Sequence, residues 1–245
     1  MGAKTDRGMG WAISPADGRR LMTPDDFVGR HLDWRADGTP RPLCPVCEEP
    51  VTPNAVNSPN MQNSFHHRDR SECPKSKHGR GRFPHIDPEE FDLSQEKRLL
   101  FELRGAGSGE RVYRLCHDIA GHLAGEEFEA MLRVADKLHI WRYKGMTLDL
   151  AGFVLPTLID MKRKSKNETE YTLRIVVRKP RGYGFFFAPE RCTLEKIFAD
   201  SGHPMQSAKA RIPVLDPAII SKADTSWEGE GLKHVIRRAV WSHSK

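Results

Sequence analysis

"LCPVCEEPVTPNAVNSPNMQNSFHHRDRSECP", residues 43–74, holds three of the chain's five cysteines and two adjacent histidines. Cys44 and Cys47 form a C-x-x-C turn whose two intervening residues let both thiolates face one point, and Pro45 stiffens it. Six or five residues separate His66 or His67 from Cys73, a spacing that lets a short loop close a tetrahedron around zinc. Cys44, Cys47, one histidine and Cys73 thus form a Cys3His set. Four protein ligands leave no open position for water, so the zinc is expected to be structural.

Between the two halves, "EEPVTPNAVNSPNMQN" is rich in proline and asparagine, with too few apolar residues for its own core. Metal would take the place of that core, because binding energy becomes folding energy in such modules. The competing meaning of C-x-x-C, a redox pair, calls for an adjacent βαβ pattern, and none is present.

The 245 residues are enough for one large domain or for a small module joined to one of ordinary size. A formal charge of +6 suits a polyanionic partner. The start, "MGAKTDRGMGWAI", is polar and glycine-rich, and no run of about 18 apolar residues offers a membrane span. These features lead us to expect a soluble cytoplasmic protein. An odd number of cysteines fits a reducing compartment, with Cys116 and Cys192 as packing residues.

Upstream, "GWAISPADGRRLMTPDDF" reads as a β-hairpin turning at "ADG", and it is followed by the C-x-x-C and "SFHHRDRSEC". This order, over residues 10–74, resembles the N-terminal zinc module of the competence protein CoiA-like family. In that pattern the C-x-x-C precedes a phenylalanine, a histidine two residues on, and a last cysteine. The resemblance implies that Phe65 is the aromatic and His67 the ligand, with His66 as its neighbour.

We expect an α/β (α+β) chain: a zinc-binding hairpin module over 1–80, a linker over 81–95, and an α/β domain over 96–245. In the last, "QEKRLLFELRG" reads as a helix capped by Ser94 and stopped at Gly105. "YRLCHDIAGHLAGEEFEAMLRVADKLH" reads as helix broken near Gly121 or Gly125, with Leu123, Ala124, Phe128, Met131, Leu132, Val134, Ala135 and Leu138 on one apolar arc. Glu127 falls inside that arc, where a carboxylate must be paired, protonated or metal-bound. Glu126 and Glu129 point outward. "YKGMTLDLAGF", "LPTLIDMKRK", "EYTLRIVVRK" and "YGFFFAP" read as strands, the third as a central one. "CTLEKIFADSG" and "GLKHVIRRAVW" read as amphipathic helices.

Asp149, followed by Asp160-Met161-Lys162, makes D-x(10)-D-x-K. Two carboxylates on adjacent strands can hold Mg2+ or Mn2+, which binds a scissile phosphate and lowers the pKa of the attacking water. Period two puts Lys162 beside Asp160, where its ammonium can orient that water. Glu127 can add a third oxygen. Helix with an inward acid, strand with Asp, strand with D-x-K: this order resembles the core of the PD-(D/E)xK nucleases. The resemblance implies a restriction-endonuclease-like mixed sheet flanked by helices, and CoiA-like proteins join such a domain to their zinc module. Asp160 stands where many members carry Glu, and the Pro before Asp is missing, the local sequence being "TLD". In the competing reading, Asp149 caps a turn while Asp160 and Lys162 form a surface ion pair.

Basic residues dominate from Lys162 onward, and Lys162, Arg163, Lys164, Lys166, Arg178, Lys179 and Arg181 are candidates for contacting a nucleic-acid backbone. Phe185 to Phe187 read as core. "CHDIAGH" carries a His-Asp pair like that of HD phosphohydrolases, yet lacks context for the other ligands, and a second C-x-x-C for an HNH nuclease is absent. Two functions emerge. One is a metal-dependent DNA nuclease acting in DNA processing, uptake or defence. The other is a non-enzymatic zinc-containing protein that binds nucleic acid or a protein partner on a degenerate nuclease fold.

Overall fold

A computed structural model describes residues 9–18, 20–56, 58, 63–68, 71, 73–76, 83, 86, 91–92, 94–105, 107–165, 167–180, 185–186, 188–206, 210–223, 236, 238 and 240. The chain divides into two compact units, Met1–Asp87 and Pro88–Lys245. The division falls inside the stretch read as a linker. That stretch is not uniformly solvated: Phe83 and Ile86 are buried, and Phe91 bridges to Tyr143.

In the first unit, β1 (Ala12–Ile13) and β2 (Leu21–Met22) make the hairpin around Asp17, as the turn residues predict. Helix α1 (Pro24–Arg30) follows, unanticipated although its signals are present. Thr23 caps it by accepting from the Asp26 N–H at 3.1 Å, Asp26 returns a bond from the Thr23 N–H at 3.2 Å, and Pro24 opens the first turn. Strands on either side of the polar stretch between the C-x-x-C and Cys73 form an antiparallel pair, β3 (Val51–Asn54) with β4 (Ser64–His67). Val51, Phe65, Phe27 and Ile13 are fully buried, so the module has a small core besides its cysteines.

The second unit is α+β. Helix α2 (Gln95–Arg104) ends at Gly105 as expected, but Asp92 rather than the Ser94 side chain serves its first N–H groups. Helices α3 (Ser108–Ala120) and α4 (Gly125–Lys137) are separated by Gly121, which adopts φ 84°, a left-handed conformation glycine takes without strain. Phe128, Met131, Leu132, Ala135 and Leu138 are buried along the predicted arc.

The next segment departs from expectation: residues 148–154 form helix α5 (Leu148–Val154), not a strand. Thr147 accepts from the Leu150 N–H at 3.1 Å, and Leu150, Phe153 and Val154 at i, i+3 and i+4 are buried. A short alternating run satisfies both periods, and the cap decides for helix. A Cβ at Gly152 would lie 2.6 Å from Leu115, so α5 packs on α3 at a distance only glycine permits.

Of "LPTLIDMKRK", residues 155–157 form a 3-10 turn and only Met161–Lys164 is strand, β5. β6 (Glu170–Arg178), β7 (Thr193–Phe198) and β8 (Arg211–Pro213) complete a sheet in the order β5-β6-β7-β8. Every pairing in it is antiparallel, which corrects the expected mixed sheet. β7 also corrects the amphipathic helix read over "CTLEKIFADSG": partnered on both sides, it buries Glu195 and Lys196, which a helix would have sent to solvent. Met161, Leu173, Ile175, Val177, Leu194 and Ile212 share the buried core face. Phe185 and Phe186 lie in a turn rather than a strand, and both are buried; the remaining residues of 181–187 fall outside the described residues. Helix α6 (Pro217–Ala223) packs on α3. Of the predicted last helix, Ile236, Arg238 and Val240 are helical, Ile236 and Val240 buried, and the rest falls outside the described residues. No helix among the described residues is long and apolar enough to cross a membrane.

Candidate metal centre

The ligand atoms of Cys44, Cys47, His67 and Cys73 all lie within 4.8 Å of one another. Cys44 Sγ is 3.8 Å from Cys73 Sγ, and Cys47 Sγ is 4.0 Å from His67 Nε2. A zinc tetrahedron with Zn–S of about 2.3 Å separates two sulfurs by about 3.8 Å. The residues therefore fit the ion.

Each ligand is set by its backbone. Leu43, just before the turn, is hydrogen-bonded in both directions to Ile13, at 2.7 and 3.0 Å. The Val46 N–H donates to Cys44 Sγ at 3.3 Å, the Glu48 N–H to the Cys44 carbonyl at 2.8 Å, and Glu48 turns the chain with φ 56°. Alternation along β4 separates the two histidines. His66 Nε2 lies 2.9 Å from Ser64 Oγ and 3.1 Å from Asn54 Nδ2, whereas Phe65 and His67 point the other way, into the core and the cluster. His67 is thus the clustered histidine. Cys73 is held by its N–H, which donates to Ser71 Oγ at 3.2 Å.

Burial pushes the Cys44 thiol well up, while hydrogen bonds from Cys44 and Cys47 draw the Cys73 thiol down to about 4. Sulfurs this close cannot all shed their protons alone; a divalent cation would compensate the added charge. The sequence reading missed two neighbours of the cluster. Met9 Sδ packs 3.5 Å from Cys44 Sγ, and the Glu49 carboxylate stands 3.4 Å from the buried His67 Nδ1. Only Glu49 carried a signal, being an acid two residues after a ligand, where carboxylates commonly orient a ligating imidazole.

No family model, curated protein or solved structure matches this chain.

In the second unit the structure gives each predicted acid its own arginine. Asp149 lies in the first turn of α5, 2.9 Å from Arg111 Nη2. Asp160, at the foot of β5, accepts from Arg174 twice, Nε to Oδ1 at 2.8 Å and Nη2 to Oδ2 at 2.6 Å. Glu127 accepts from Arg163 Nη1 at 2.6 Å and from the Ala124 N–H at 3.0 Å, capping α4. It is paired, one of the three fates open to an acid in the apolar arc. Among the described residues, the cysteine-histidine cluster is the only group of three or more acids, histidines or cysteines arranged to hold a metal. Asp160, just before β5, and Lys162 on it are both exposed.

Of the predicted backbone-contacting residues, Lys162, Lys164, Arg178 and Lys179 are exposed. Arg163 is turned inward, its side chain 12% exposed and bonded also to the His122 carbonyl at 2.7 Å. Lys166 and Arg181 lie outside the described residues. Cys116 and Cys192 are buried packing residues, their thiols pushed up by burial.

Proposed function

We propose that this chain is a nucleic-acid-binding protein stapled by a structural zinc ion, whose second unit binds polyanions without cutting them. Cys44, Cys47, His67 and Cys73 hold the zinc, which supplies folding energy to a module with little core of its own. The convergence of His67, rather than His66, is in keeping with the CoiA-like pattern, and we extend that resemblance to the module as a proposal.

The observation that carries the binding reading is the division of charge in the second unit. Asp149, Asp160 and Glu127 are each neutralised by a different arginine. Lys162 and Lys164 meanwhile face solvent with no ion pair among the described residues. A carboxylate bonded bidentately to arginine must break that pair before it can ligate Mg2+, and Mg2+ itself sheds water reluctantly. Exposed lysines need no such rearrangement to meet phosphates.

The nuclease reading keeps one supporting feature, that Asp160, just before β5, and Lys162 on it are both exposed. Plasmid and short single- and double-stranded DNA, incubated with the protein and Mg2+ or Mn2+, separate the two. Retention that weakens with salt, without cleavage, is expected. Cleavage that is lost in Lys162→Ala would replace the binding reading with the nuclease one.

A further inference from the structure

Glu195 is a buried carboxylate that no proposed chemistry uses. It sits on β7 with its side chain 3% exposed, on the sheet face opposite the core. The register puts Arg211 of β8 directly across from it, and Arg178 of β6 diagonally across, two residues beyond its partner Val176. Both arginines donate to it through Nε: Arg178 to Oε2 at 2.6 Å and Arg211 to Oε1 at 3.0 Å.

This arrangement differs from the pair that Arg174 of β6 makes. Arg174 spends Nε and Nη2 on Asp160, so one guanidinium meets one carboxylate and the charge is balanced. At Glu195 one carboxylate anchors two guanidiniums, which leaves an excess positive charge. Anchoring through Nε leaves Nη1 and Nη2 of both arginines without partners among the described residues, on side chains 58% and 76% exposed. Two planar forks anchored by a shared buried anion offer donors of the kind that pair with phosphate oxygens. Their ordering is already paid for in the free protein.

We infer that Arg178 and Arg211, oriented by Glu195, form a clamp for a phosphate group, which in the reading above is a backbone phosphate of nucleic acid. The clamp rests on that reading for the identity of its ligand, though not for its chemistry. A free phosphate-bearing ligand would use the same donors.

Binding of a labelled DNA duplex, followed across a salt series, tests this with four variants checked for unchanged melting. Arg178→Gln with Arg211→Gln should weaken binding about tenfold and lower the salt slope by about 1, the share of the one phosphate the clamp holds. Arg98→Gln with Arg133→Gln removes the same charge from exposed positions on α2 and α4, and should change affinity less than about twofold. Arg178→Lys with Arg211→Lys keeps the charge but loses the forks, and should still weaken binding. Glu195→Gln is the sharpest arm: it adds net positive charge, yet should weaken binding because the guanidiniums lose their anchor.

Tighter binding by Glu195→Gln, equal loss in the two glutamine pairs, or wild-type binding by Arg178→Gln with Arg211→Gln would overturn the clamp and leave the nucleic-acid reading standing. If wild type retains no DNA, that reading fails, and titration with inorganic phosphate decides the clamp. Shifts of the Arg178 and Arg211 Nε resonances that Glu195→Gln abolishes keep it, for a free phosphate ligand. Unmoved resonances dismiss it.

Discussion

The two units handle their chemistry-bearing residues in opposite ways. In Met1–Asp87, donors 29 residues apart in sequence converge until Cys44 and Cys73 sulfurs are 3.8 Å apart, with no lysine or arginine side chain paired to either among the described residues. In Pro88–Lys245, acids at comparable separations are each claimed by an arginine on a neighbouring element. Close spacing of like donors is unfavourable unless a cation joins them. A cluster of thiols and an imidazole is therefore arranged to hold a metal, whereas acids already balanced by guanidiniums are not gathered into such a group among the described residues.

The contrast can be broken most forcefully at the zinc. Cys44→Ser, or chelation, should unfold the first unit, since apparent zinc binding energies of about 10–16 kcal/mol match or exceed the stability of an ordinary domain. Amide exchange should show protection lost along β3 and β4 and kept along β6 and β7. Protected β3 and β4 amides in the metal-free protein would mean that Val51, Phe65 and Phe27 suffice alone.

A second perturbation addresses the other unit. Gly152→Val places carbon atoms against Leu115, where a Cβ alone would come within 2.6 Å, and should cost about 1–3 kcal/mol or more while leaving zinc content at one per chain. Denaturant unfolding measures it, and an unchanged midpoint would disprove the close α3–α5 packing.

Two of the arginine–acid pairs should then rank by burial. Arg163→Ala strands the Glu127 carboxylate, 21% exposed, and should cost about 1–3 kcal/mol. Arg174→Ala breaks a pair 42% and 36% exposed and should cost about 0–1 kcal/mol. The reverse ranking would place the structural weight on Asp160 instead.

Acid titration gives the smallest effect. The Arg178 hydrogen bond, joined by Arg211, holds the Glu195 carboxyl below the ordinary range despite its burial. A depressed folded-state value means that its stabilisation is complete above the unfolded value of about 4.3 and lost as pH falls through the folded one. Glu195→Gln should flatten that part of the acid unfolding curve. An unaltered curve would show that the two arginines do not stabilise the charge.

The zinc set was readable because its information is local: C-x-x-C spacing and a histidine a few residues before Cys73 suffice without a fold. Even the choice of His67 follows from alternation on β4 once Phe65 is placed in the core. The acids were not readable in this way. Asp149 changed element because Thr147 caps a helix, and a six-residue apolar alternation fits strand and helix alike. Arg174 meets Asp160 only through the β5–β6 register, in which Met161 faces Leu173 and Lys162 faces Thr172. β7 was mistaken for a helix because Glu195 and Lys196 read as a solvent face, although tertiary pairing buries both. Long-range register is what the spacing of residues along the chain does not encode.

The most direct test of the contrast is a Mn2+ titration of the zinc-loaded protein followed by electron paramagnetic resonance. One zinc per chain and no stoichiometric Mn2+ are expected, because Asp149, Asp160 and Glu127 remain with their arginines. One tightly bound Mn2+ per chain, lost in Asp160→Asn, would contradict this and restore a catalytic cation site.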